Sequence, residues 1–325
     1  MTDRPDATYT PADKPTMYFI GVTTGKSSIM RVFPAWADHL ELGDVQIRGM
    51  DFRQHDEPAW YREAVSFIKQ DPLSIGALVT THKLDLVKAC RDIFDHFGPY
   101  ATQLGEASSI SKRDDGLWGH AKDPITAGLS LEAIIDDDYW QRTGGELLLF
   151  GAGGSSLATT MYLMEKTDRR LWPRRIVVTN RSESRLEEMK EIHARINAGI
   201  PVEYHLCPNP GQNDAVLAGM RPASVVVNAT GLGKDAPGSP ITEAGAWPPD
   251  SIAWDFNYRG DLVFMDQARA QQAAKRIRIE DGWVYFIHGW TRVIAEVFHI
   301  DIPTSGPKFD KLADIAAEVT GRKGN

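Results

Sequence analysis

Residues 147–156 read LLLFGAGGSS, an apolar run that ends abruptly in glycines. Side chains at Gly151, Gly153 and Gly154 would obstruct a tight turn or the close approach of a ligand, so the stretch predicts something resting on bare main chain. It stands between a strand that ends at Phe150 and a helix that starts near Ser155. In that setting the first glycine makes the turn, the second lets the backbone reach a pyrophosphate, and the helix N-terminus offers unbonded N–H groups. Gly151, Ala152, Gly153, Gly154 and Ser155 are therefore candidate cofactor contacts. Ser156 takes the third motif position, small enough for close packing. A strand-to-helix turn with no ligand would use the same glycines, so the neighbouring strands have to decide.

The next strand ends in TNRSESR (179–185). A site selecting NAD usually puts an acid at the strand end to bind the ribose 2′-hydroxyl, and none stands there. Asn180, Arg181, Ser182 and Arg185 instead offer donors and positive charge, which suit the 2′-phosphate of NADP better than NAD. An arginine on a solvated helix start is the competing account.

Further out, short apolar runs alternate with amphipathic stretches. MYFIGVT (17–23), VQIRGMDF (45–52) and IGALVTT (75–81) read as buried strands, with helical spacing in FPAWADHLEL and AWYREAVSFIKQ between them. GELLLFGAGG, RRIVVTNRS, ASVVVNATG and SIAWDFNY form a second series, separated by SSLATTMYLMEK, SRLEEMKEIHARI and GDLVFMDQARAQQAAK. This order predicts an α/β protein of two domains. The N-terminal α/β domain, with a mainly parallel sheet, is expected over 1–128, with 1–15 a loose tail. A Rossmann-type domain is expected over 129–282, after a helix and polar loop in LSLEAIIDDDYWQRTGG. Helices over 283–325 are expected to pack back on the first domain.

The chain has 325 residues, 42% of them hydrophobic, enough for a large core. A net charge of -8 with interspersed signs gives no basic face for nucleic acid. No run of about 18 apolar residues suggests a membrane span, and the first twenty residues lack the pattern of a secretory signal. Cys90 and Cys207 sit apart with no metal-ligand spacing, so no metal is expected. These features predict a cytoplasmic protein, monomer or homodimer, with a small-molecule partner.

GAGGSS, TNRSESRLEEM, VVNATGLGKDAPGSP and AWDFNYRGDLVFMDQARA resemble, in order, four landmarks of the shikimate/quinate dehydrogenase family. GALVTTHK is similar to that family's G-x-N-V-T-x-P-x-K. GEASSISKRDDGLWGHAKDPITAGL is similar to its G-A-x-N-T followed by G-x-N-T-D-x-x-G. The resemblance runs from about Phe19 to about His299 and implies an NADP-dependent oxidoreductase of a hydroxylated cyclic acid, of the kind used in aromatic amino acid biosynthesis. It carries a catalytic lysine to Lys83 and a catalytic aspartate to Asp123. It puts Asn228, Thr230 and Gly233 along the nicotinamide and Tyr258 in the substrate cleft. The chemistry is coherent, since oxidising a secondary alcohol needs a group that takes the hydroxyl proton, and a lysine tuned by a carboxylate can do so.

The departures fall on the substrate side. VTTHK is one residue shorter than V-T-x-P-x-K and lacks its proline. Leu78 stands at a family asparagine, Ser108 (or Ser109) at a second, and AKD replaces NTD before Asp123. TGKSSIMRVFPAW matches a serine motif only at Ser27, and His288 falls near a family glutamine. Ser27, Thr80, Ser108, Tyr258 and His288 are candidate substrate contacts, with Lys26 and His82 as further donors. A dehydrogenase of a different amino- or sugar-derived analogue, and a non-catalytic metabolite or NADP sensor, remain alternatives.

Overall fold

A computed structural model describes residues 9–196, 199–234 and 236–322. The chain divides into two compact units: one runs to Lys122 and resumes at Gly289, and the other spans Asp123–His288.

In the first unit, β1 (Thr16–Gly21), α1 (Ile29–His39), β2 (Gln46–Asp51), α2 (Pro58–Gln70) and β3 (Ser74–Val79) alternate as the apolar runs predict. They are followed by α3 (Lys83–Cys90), β4 (His96–Phe97), α4 (Pro99–Leu104), β5 (Ser109–Arg113) and β6 (Gly116–His120). The six-stranded sheet has the order β2-β1-β3-β5-β6-β4. β1, buried along its whole length, pairs in parallel with β2 and β3, as expected of a strand covered on both faces. β3–β5 and β5–β6 are antiparallel. The Asp114-Asp115-Gly116 turn of this hairpin, with Gly116 at φ 128°, is its sequence signal. Ile20, Val79, Tyr61, Ile68 and Leu86 fill one core between the sheet and α2–α3.

The expected loose tail over 1–15 needs correction where it is described; residues 1–8 lie outside the described residues. Tyr9 stacks on Phe67 at 5.2 Å, Ala12 is buried, and the Pro15 carbonyl accepts from Gln46 N–H. The segment is tied down by packing that its composition does not reveal.

The second unit begins with α5 (Asp123–Glu132) and the short α6 (Tyr139–Thr143). The division at Lys122/Asp123 thus comes before the expected one at 128/129, because α5 packs on the second unit. Gly128 on α5 makes room for the Tyr162 ring of α7. The unit continues β7 (Leu147–Phe150), α7 (Gly154–Glu165), β8 (Ile176–Asn180), α8 (Glu183–Ile196), β9 (Val202–Leu206), α9 (Pro210–Ala218), β10 (Val225–Asn228), β11 (Ile252–Asp255), α10 (Val263–Lys275) and β12 (Arg278–Glu280). All its strand pairings are parallel, in the order β12-β11-β10-β7-β8-β9. Numbered from β7, this is the doubly wound order 3-2-1-4-5-6, whose direction reverses between β7 and β10.

α11 (Trp283–Phe298) belongs to the second unit as far as His288 and to the first from Gly289; α12 (Pro307–Thr320) follows in the first. There the Leu312 carbonyl accepts from the indole N–H of Trp36 on α1 at 2.8 Å. Glu296 of α11 accepts from Arg113 (2.5 Å), Lys122 (2.7 Å) and Ser111 (3.1 Å), with His120 Nε2 2.9 Å away. Burial alone would raise its carboxyl pKa, yet the donors of His120, Lys122 and Arg113 hold it far below the usual range. No helix among the described residues is long and apolar enough to cross a membrane.

Candidate functional site

In the second unit a groove of about 760 Å³ lies at the carboxyl ends of β7, β8, β9 and β10, where open parallel sheets take ligands. Its lining includes Gly151, Ala152, Gly153, Asn180, Arg181, Ser182, Arg185 and Thr230. Gly151 has φ 101°, and a Cβ there would meet the Ala229 carbonyl oxygen at 3.0 Å, so the first glycine is required by the turn itself. Gly153 and Gly154 face open space. Their bare backbone, with Ser155, opens α7 and leaves N–H groups at a helix N-terminus for an anion.

Asn180, expected to contact the cofactor, is committed to the turn. Its Oδ1 accepts from Ala152 N–H at 3.2 Å and its Nδ2 donates to the Ser182 carbonyl at 2.9 Å. It shapes the loop around which the expected ligand would sit. Arg181 is exposed on the groove wall, while Arg185 pairs with Glu188 at 2.7 Å. Ser182 Oγ lies 2.8 Å from Ser184 Oγ.

The loop after β10 is built on Asn228. Its Oδ1 accepts from both the N–H (3.1 Å) and the hydroxyl (2.6 Å) of Thr230, and its Nδ2 donates to Asp255 at 3.1 Å. Asp255 also takes Asn257 N–H at 2.9 Å, and burial pushes its carboxyl up to about 6 despite these bonds. Gly233 turns at φ 90° and its carbonyl accepts from Asp261 N–H at 2.7 Å. Sequence reasoning missed Asp255 as the anchor because Asn228, which it holds, lies on a different strand. Tyr258 packs edge-on against Trp283 at 5.5 Å and against Phe286 at 4.9 Å. His288 is buried at the end of this unit.

In the first unit the carboxyl ends of β1 and β3 bring several expected residues together. Gly21 lies between Thr24 and Thr80, Thr80 N–H donates to the Ile20 carbonyl at 3.0 Å, and Ser27 N–H donates to Thr24 at 2.9 Å. Ser108 joins them through Val79 N–H, which donates to its carbonyl at 2.9 Å. The Ser108 hydroxyl oxygen also takes Lys122 N–H at 2.7 Å, fixing the residue before Asp123. Lys26 is exposed. His82, a further candidate donor, is buried against Phe52, and its Nδ1 lies 3.0 Å from Tyr61 Oη. Burial also lowers its pKa.

The shortened loop closes through Thr81 at φ 59°, a left-handed conformation rare for a β-branched residue. Lys83 opens α3, and His82 before it makes no side-chain cap bond. A cation at a helix N-terminus opposes the helix dipole, so helix formation does not account for Lys83. Asp123 opens α5 directly before Pro124, a start that the dipole and proline's fixed φ both favour.

Fold and groove together define a two-unit α/β protein whose second unit is doubly wound, with a groove at its switch point. No protein-family model matches the chain. It is 28% identical over 184 residues to shikimate dehydrogenase (NADP(+)) of Paracidovorax citrulli, covering 56% of this chain and 59% of that one. It is 28% identical over 204 residues to the enzyme of the same name from Symbiobacterium thermophilum, covering 62% and 64%. The chain thus spans less than two thirds of either relative. Among solved structures it superposes on shikimate 5-dehydrogenase of Thermus thermophilus, in complex with NADP(H) and shikimate, with TM-score 0.65 at 18% identity over 94% of this chain and 99% of that one. It also superposes on ligand-free 5-ketofructose reductase of a Gluconobacter strain, with TM-score 0.64 at 14% identity over 94% and 99%. The fold is the one these dehydrogenases and reductases share.

Proposed function

We propose that the protein is an NADP-dependent oxidoreductase that interconverts a secondary alcohol and a ketone on a small hydroxylated substrate, shikimate-like in class. The observation that carries this reading is the glycine turn of β7 at the switch point of the sheet, beside a β8 end without an acid. The groove fits the cofactor: Gly153, Gly154 and Ser155 would hold the pyrophosphate, and Arg181 with Ser182 the 2′-phosphate. The loop of Asn228, Thr230 and Gly233 would border the nicotinamide. When bound, NADP supplies the hydride acceptor.

The chain's own residues supply the proton chemistry. Lys83 takes the hydroxyl proton of the alcohol, and in the reverse direction returns it to the ketone oxygen. Asp123 anchors the substrate and stabilises the charged lysine. Thr80, Ser108 and Ser27 offer hydroxyls for the substrate's polar groups, and the family resemblance adds Tyr258 and His288 as candidate contacts.

A second substrate reading has its own support. Leu78 and Ser108 stand where the family resemblance expects amides, and an unpaired hydroxyl in a closed site costs about 1–3 kcal/mol. One structural neighbour is a ketosugar reductase. A sugar-derived ketone is therefore the alternative substrate class.

Steady-state assays with NADP and NAD against shikimate, quinate, related cyclitols and ketosugars test both readings. Turnover of shikimate or quinate with NADP preferred supports the first, and turnover confined to ketosugars supports the second. NADP binding without turnover of any member of the panel would favour a sensor and sink the enzymatic reading.

A further inference from the structure

The outer end of the nucleotide groove contains a polar group that neither the glycine turn nor the phosphate-binding residues use. Asn213 on α9 lines the groove together with Cys207, Pro208, Pro210, Ser239 and Pro240. It is 8% exposed. Its Nδ2 donates to the Pro240 carbonyl at 2.8 Å, while its Oδ1 is buried with no hydrogen-bond partner. The amide's orientation follows from chemistry, because only the NH₂ end can donate to a carbonyl. The acceptor end is thus left over, and a buried acceptor without a partner is costly.

The position along the sheet says what the acceptor would meet. β7, β8 and β9 are consecutive neighbours at a spacing of about 4.8 Å. A dinucleotide with its pyrophosphate on the β7 turn and its 2′-phosphate at the β8 end has its base next, beside the β9–α9 segment. Pro208, Pro210 and Pro240 offer flat apolar surface there. We infer that Asn213 is a specificity-determining residue that accepts a hydrogen bond from the exocyclic amino group of the cofactor's adenine. This inference rests on the proposed use of NADP.

The test is calorimetric titration of the full chain with NADP+ and with its hypoxanthine analogue, in which a carbonyl replaces the amino group. Asn213 predicts roughly tenfold or greater weakening for the analogue, the equivalent of about 1.4 kcal/mol. In Asn213→Leu the gap should close, mainly through weaker NADP+ binding. The wild-type comparison does not depend on how well the variant folds. Equal affinity of wild type for the two nucleotides, or a gap that persists in Asn213→Leu, overturns the inference while leaving NADP binding intact. Binding of neither nucleotide overturns the cofactor reading on which it rests.

Discussion

Thr81 and Lys83 carry the residue-scale argument. A β-branched residue at φ 59° holds the turn that the shortened loop requires. The left-handed conformation costs an L-residue roughly 1–2 kcal/mol, and glycine forfeits about half of that gain through its larger unfolded-state entropy. Thr81→Gly should therefore stabilise the protein by up to about 1 kcal/mol, read as a rise in the thermal midpoint. An unchanged or lower midpoint would mean that the turn stores no strain. The sequence shows that this loop is altered, since VTTHK lacks a residue and a proline. It does not show that His82 turns inward under Tyr61, because that depends on α2 packing over β3. Asn180 teaches the same lesson: its place at the strand end is legible, but its commitment to Ala152 and Ser182 is not.

At the scale of elements, α7, α8 and β9 are joined by a buried triad. His193 Nε2 lies 2.7 Å from Thr160 Oγ1, and its Nδ1 lies 2.6 Å from Tyr204 Oη. Thr160 donates to the Leu157 carbonyl, so its oxygen accepts from Nε2–H and the tyrosine hydroxyl donates to Nδ1. Burial lowers the His193 pKa from 6.5 to about 4. Between those values the unfolded chain holds the extra proton, so this group's effect is lost stability as pH falls from 6.5 towards 4. Asp255 acts in the opposite sense. Its folded pKa is about 6 against 3.8, so the folded state holds the extra proton and stability is lost as pH rises through that window. The two slopes oppose each other over nearly the same range. His193→Gln, which keeps a side-chain amide but cannot titrate there, should expose the Asp255 slope. Denaturant unfolding from pH 6.5 to 4 should show the variant gaining on wild type by a few kcal/mol, on the order of 3. A constant difference across that range would contradict the buried neutral histidine. The repeating apolar runs made most strands and helices of the sheet legible. The β5–β6 hairpin, marked only by its Asp114-Asp115-Gly116 turn, and β9 and α9 were less so, since they are polar or partly exposed and lack a strong apolar run.

For the whole molecule, the order of the motifs was legible because each glycine, asparagine or aspartate landmark stands at the end of a strong apolar strand. The division of labour among side chains was not, because it depends on pairs such as Asn228–Asp255 and Lys122–Glu296 that no local pattern encodes. The most direct test of the account is the initial rate of NADPH formation by the purified chain with its best alcohol substrate, compared with Lys83→Ala. NADP+ binding is measured on both proteins. The account predicts a loss of about 100-fold or more in kcat for the variant, with NADP+ affinity unchanged. An undiminished rate in Lys83→Ala would contradict it and assign the proton transfer to another group.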